Sequence, residues 1–134
     1  MKPEVFAVDF DGTLCENRWP DIGKPIHDMI DWVKQLRQKG HKIILWTCRD
    51  KMALVYALTW CADHGLFFDA VNDNLEDHKL RFGGNSRKIL ADYYIDDGAV
   101  YPSAMPFIFE KENLELIHES FLKPISYNPT EFWQ

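Results

Sequence analysis

Two carboxylates one residue apart, Asp9 and Asp11, end the short apolar run Val5-Phe6-Ala7-Val8. Like charges so close repel, and the usual relief is a bound cation or a shared proton. A carboxylate can also attack phosphorus, since an aspartyl-phosphate divides one hard transfer into two easier steps. Gly12 follows at once and permits a tight turn and close approach of a ligand to the backbone. A second acid pair, Asp96-Asp97, closes the apolar Tyr93-Tyr94-Ile95. Thr47 ends the apolar run Ile43-Ile44-Leu45-Trp46, with Cys48 and Arg49 next, and Lys88 precedes the second acid pair. Acids suit a hard divalent cation such as Mg2+, while a hydroxyl and an ammonium suit phosphoryl oxygens. Together these residue types make a self-consistent phosphate site, because stabilising developing charge is most of the work in phosphoryl transfer.

The residues meet only if the apolar runs are parallel strands that share one carboxyl edge, where open α/β sheets bind ligands. The sequence predicts strands at Val5–Val8, Ile43–Trp46, Leu66–Val71 and Tyr93–Ile95, with a fifth at Pro106–Phe109. Ile26, Met29, Ile30, Val33 and Leu36 recur at helical spacing, predicting a helix that opens at Pro25 and is closed by Gly40. A second helix is predicted from an N-cap at Asp50 to about His64, stopped by Gly65 and buried nearly all round. Residues 15–24 read as an irregular loop, and 75–87 as a loop with one helical turn. A further helix is predicted over Glu112–Leu122, followed by a tail lying along the body. Strands alternating with helices call for right-handed crossovers. The expected architecture is a single α/β domain over residues 1–134, a Rossmann-like parallel sheet flanked by helices.

Composition narrows the function classes. The chain has 134 residues, 46% of them hydrophobic, enough for a core in one domain. A net charge of -6 counts against a general nucleic-acid or anionic-membrane surface, without excluding nucleic acid as a substrate. The three cysteines, Cys15, Cys48 and Cys61, show no C-x-x-C spacing and suit a reducing compartment over a disulfide framework. The segment before the first strand leaves no room for a signal peptide, and no apolar run is long enough to span a bilayer. The expectation is a cytoplasmic protein. The five histidines lack metal-ligand spacing, Asn72-Asp73-Asn74 reads as turn chemistry, and Gly83-Gly84 as a flexible connection.

Asp9-Phe10-Asp11-Gly12-Thr13-Leu14 resembles the first motif of the haloacid dehalogenase (HAD) superfamily, D-x-D-G-T-L. Ile43–Thr47 is similar to its second motif, Lys88 to its third, and Asp96-Asp97 to the paired-acid form of its fourth, so the resemblance spans residues 5–97. It implies an HAD-type fold in which Asp9 is the nucleophile and a Mg2+ ligand, and Asp11 is the general acid/base. The metal set it implies is Asp9, Asp11, Asp96 and Asp97, with the backbone carbonyl of Asp11 as a ligand. Asp96 is the first choice between the last two. Phosphate contacts fall to Gly12, Thr47 and Lys88, with Arg49 a further candidate and Arg81 and Arg87 rival cations to Lys88.

The interval between Thr13 and the first predicted helix is too short for a folded cap domain. The resemblance then implies an open site, whose phosphorylated substrate is extended or macromolecular, or is enclosed by a neighbouring subunit in a homo-oligomer. Arg18-Trp19-Pro20 would touch the substrate or anchor the loop. The leading expectation is a Mg2+-dependent phosphomonoester hydrolase. A phosphotransferase and a catalytically idle Mg2+- or phosphate-binding module are the alternatives. A signalling receiver is disfavoured by the order D-x-D, Thr, Lys, Asp-Asp.

Overall fold

Successive side chains of a strand point to opposite faces, so a strand apolar at every position must be covered on both. The computed structural model describes residues 2–99, which fall within one compact unit. The elements run β1 (Val5–Val8), β2 (Cys15–Arg18), β3 (Asp21–Pro25), α1 (His27–Gln38), β4 (Lys42–Leu45), α2 (Lys51–Asp63), β5 (Ala70–Val71), α3 (Glu76–Phe82) and β6 (Tyr93–Ile95). β1 is buried throughout. On one face, Phe6 and Val8 join Ile43, Leu45, Ile30, Val33, Ala57 and Cys61 in the larger core. On the other, Val5 and Ala7 join Ile44, Leu75 and Ile89.

The sheet order is β5-β4-β1-β6, and every pairing is parallel. Val5 lies opposite Lys42 and Val8 opposite Leu45, while Val8 on its other side meets Ile95. The chain therefore builds outward from β1 to β4 and β5, then crosses back to place β6 on the far side of β1. That reversal is a topological switch point, and it leaves a crevice at the carboxyl ends of β1 and β6. The expected parallel α/β sheet with flanking helices is what the chain forms.

Several local expectations are corrected. Residues 15–24 belong to an antiparallel hairpin, β2–β3, not an irregular loop. Its strands are mostly exposed and show no apolar alternation, the signal by which a strand is read. Pro25 ends β3 instead of opening the helix, and α1 begins at His27. Asp50 stands at the N-cap of α2, but its side chain makes no cap hydrogen bond. Within α2 only Ala57 and Cys61 are buried, while Met52, Val55 and Tyr56 are exposed, so the helix packs by one face. β5 shrinks to Ala70–Val71 because Asp69 bonds Ile43 partly through its side chain, the Asp69 carboxylate accepting from the Ile43 N–H at 2.8 Å. α3 has seven residues, not one turn, and ends at Gly83 with a left-handed φ of 67°. The predicted strand at Pro106–Phe109, helix at Glu112–Leu122 and tail lie outside the described residues.

Candidate functional site

Asp9 leaves β1 with its N–H bonded to Ile95 O at 2.8 Å, which fixes it beside the end of β6. Asp96 and Asp97 follow Ile95 directly, so the switch point brings the two halves of the sequence together at their acids. One carboxylate oxygen from each of Asp9, Asp96 and Asp97 lies within 4.8 Å of the others. Burial pushes the Asp9 carboxyl up to about 7, helped by the charge of Asp96 and by the hydrogen bond and charge of Asp97, against a backbone hydrogen bond at Phe10. Thr13, itself buried, donates its hydroxyl to Asp9 Oδ2 at 3.3 Å. Gly12 has a φ of 86°, and a Cβ there would collide with the Asp97 carboxylate. Its missing side chain is what allows Asp97 to close on the turn. Gly12, Thr13, Ile26, Met29, Asp96 and Asp97 line a cleft of about 290 Å³.

The donor set fits a hard divalent cation. Three carboxylate oxygens at this separation offer the ligand type that Mg2+ takes, and a cation would offset the burial, and the repulsion by Asp96 and Asp97, that together raise Asp9.

The Asp11 carboxylate is not part of that trio; the metal contact implied at this position is its backbone carbonyl, which the placement of the side chain leaves untouched. Arg49 Nε donates to Asp11 Oδ2 and Arg49 Nη2 to Asp11 Oδ1, both at 2.8 Å, a bidentate fork. Arg49 is corrected as a substrate contact. Its side chain is 1% exposed, and a buried guanidinium requires its donors satisfied within the protein. Nη1 donates to Pro20 O at 3.3 Å and Nη2 to Asp21 O at 2.8 Å. Phe10 and Trp19 supply aromatic rings 5.2 and 4.9 Å from the guanidinium carbon. Hydrogen bonding to Asp11 holds the Arg49 guanidinium above its ordinary value.

Thr47 sits on the other flank of Asp9, because the preceding Trp46 N–H bonds Val8 O at 2.9 Å. Its own N–H donates to Asn72 Oδ1 at 2.8 Å, and its hydroxyl accepts the Arg49 N–H at 3.1 Å. The Thr47 O–H is left as a donor.

Lys88 is not joined to Asp9. Residues 88–92 descend from the carboxyl edge, where Leu90 N–H bonds Asn74 Oδ1, to the start of β1, where Asp92 N–H bonds Val5 O. That path sends the Lys88 stem toward Tyr94, with Nζ 5.6 Å from the ring centroid. Lys88 lines a separate cavity of about 400 Å³ with His78, Phe82 and Tyr94, and makes no ion pair among the described residues. Trp19 takes the anchoring role, since Arg49 rests on its ring although the residue is largely exposed.

Sequence reasoning missed the hydroxyl of Thr13 and the structural use of Arg49. Thr13 was within reach as the neighbour of the acid pair. Nothing local marks Arg49, whose partner lies 38 residues away.

Fold and site together define a parallel-sheet α/β protein with a carboxylate trio at its switch point. No protein-family model matches the sequence, and no curated protein does. The chain is similar in structure to the conserved protein coded by a locus from Bacteroides thetaiotaomicron, with 35% sequence identity and a TM-score of 0.67. The match covers 84% of this chain and 98% of that one. The chain belongs to the same family as that conserved protein. Among the described residues, no helix is long and apolar enough to cross a membrane.

Proposed function

We propose that this chain is a Mg2+-dependent phosphomonoester hydrolase of the HAD type, acting through an aspartyl-phosphate on Asp9. The observation that carries the reading is the convergence of Asp9, Asp96 and Asp97 at the switch point. Those three residues would hold the cation, which when bound supplies neutralisation of the phosphoryl charge. An Asp9 oxygen attacks phosphorus while the bond to the leaving oxygen breaks. Water then attacks phosphorus and returns the Asp9 carboxylate with release of inorganic phosphate. Asp11, held by the Arg49 fork, gives a proton to the leaving oxygen and takes one from that water through a lone pair the fork leaves open. The Thr47 O–H and the backbone at Gly12 orient the phosphoryl group, and Lys88 joins them by swinging away from Tyr94. Three thiols outside any disulfide fit a reducing, cytoplasmic setting.

One observation favours a second reading. The Arg49 fork occupies both oxygens of Asp11, an arrangement suited to a Mg2+- and phosphate-binding module that does not turn over. An assay separates the two. Phosphate release from an aryl phosphate is measured with Mg2+ and with chelator, for the wild type and Asp9→Asn. The hydrolase gives metal-dependent release that the substitution abolishes; Mg2+ binding without release, across a panel of phosphorylated metabolites, points to the module.

A further inference from the structure

The hairpin β2–β3 and Asp11 meet in one side chain. Four donor contacts of the Arg49 guanidinium are used, two on the Asp11 carboxylate and two on the carbonyls of Pro20 and Asp21. Nη2 serves both groups at once, at 2.8 Å each. The guanidinium is also held between the rings of Phe10 and Trp19, so it cannot shift without moving the hairpin tip. Planar forks of this kind fix geometry in a way that a lysine ammonium cannot. The backbone adds a second tie, since Gly12 N–H bonds Cys15 O at 2.8 Å, where the hairpin begins.

We propose that Arg49 is a positioning residue that locks the Asp11 carboxylate to the hairpin tip, so that Asp11 and the hairpin move as one unit. Trp19, whose ring the guanidinium rests on, is 58% exposed, so the lock can be probed from the surface. The link to catalysis rests on the hydrolase reading, but the coupling itself does not.

Two readouts test it. The first is amide hydrogen exchange of the hairpin residues 15–25 in the wild type, Asp11→Asn, Arg49→Lys and the double variant. Locked together, each single substitution speeds hairpin exchange by about tenfold or more, and the double variant adds little. If Asp11→Asn leaves hairpin exchange unchanged while the fold is intact, the proposal is overturned. Should Arg49→Lys fail to fold, Trp19→Ala replaces it, because that residue lies at the surface. The second readout is the split of kcat and KM with an aryl phosphate. Arg49→Lys lowers kcat with KM nearly constant, and a rise in KM alone would make Arg49 a substrate-binding residue instead. Absence of turnover in the wild type would count against the hydrolase reading only, since the exchange experiment decides the coupling without catalysis.

Discussion

The decisive chemistry sits in single residues whose environments conflict with their charge. Asp9 is the sharpest case, its carboxyl raised from 3.8 to about 7 by burial and by Asp96 and Asp97. Between those values the folded chain binds more protons at Asp9 than the unfolded chain, so its contribution to stability falls as pH rises. Asp9→Asn removes this penalty. In chelator, the thermal midpoint of Asp9→Asn should gain on the wild type as pH rises from 4 toward 7, and level off above it. A constant difference across that range would show that Asp9 titrates normally. With the proposed Mg2+ site filled, that gap should narrow above pH 7, since a ligand at about a hundred times its Kd stabilises by about 2.7 kcal/mol and Asp9→Asn would lose a ligand. Gly12→Ala is predicted to cost more than about 1 kcal/mol, because alanine is strained at a positive φ. It should also weaken Mg2+ binding by displacing Asp97, read by urea unfolding and calorimetry.

At the scale of elements, β1, α1 and β4 were legible because burial writes itself into apolar periodicity, and β6 because Tyr93-Tyr94-Ile95 is aromatic and β-branched although none of the three is buried. The hairpin β2–β3 was not, since its strands face solvent and are held by Arg49 from the turn after β4. Likewise the apolar surface of α2 misled, because Met52, Val55 and Tyr56 carry no sign of which face packs. The carboxylate trio was legible from two acid pairs, each after an apolar run, whereas the Asp11 fork was not, because its two halves are joined only by folding. Removing the Arg49 side chain should be the costliest change in this region. Breaking a buried ion pair costs about 3–5 kcal/mol, so Arg49→Met is expected to lower the unfolding free energy on that scale, measured in urea. Burial also separates the cysteines. Cys15 of β2 and Cys61 of α2 are buried with thiols pushed up, Cys61 to about 12, while Cys48 is exposed. A thiol reagent should therefore modify one cysteine rapidly in the native protein and all three only after unfolding. Rapid modification of two would contradict the burial of Cys15 and Cys61 in the larger core.

For the molecule as a whole, strand order does what no single segment can. Residues nearly ninety positions apart meet because the chain builds one side of β1 and then returns to the other. The acids thus gather where a parallel sheet opens to ligand. Under the proposed hydrolase reading, Asp9 carries the phosphoryl group. The most direct measurement is acid quenching of the protein during incubation with a radiolabelled phosphate ester and Mg2+, followed by peptide mapping. Label on the peptide containing Asp9, released by hydroxylamine and absent from Asp9→Asn, is the result predicted. Turnover that leaves label on another residue, or none on the protein, would contradict it.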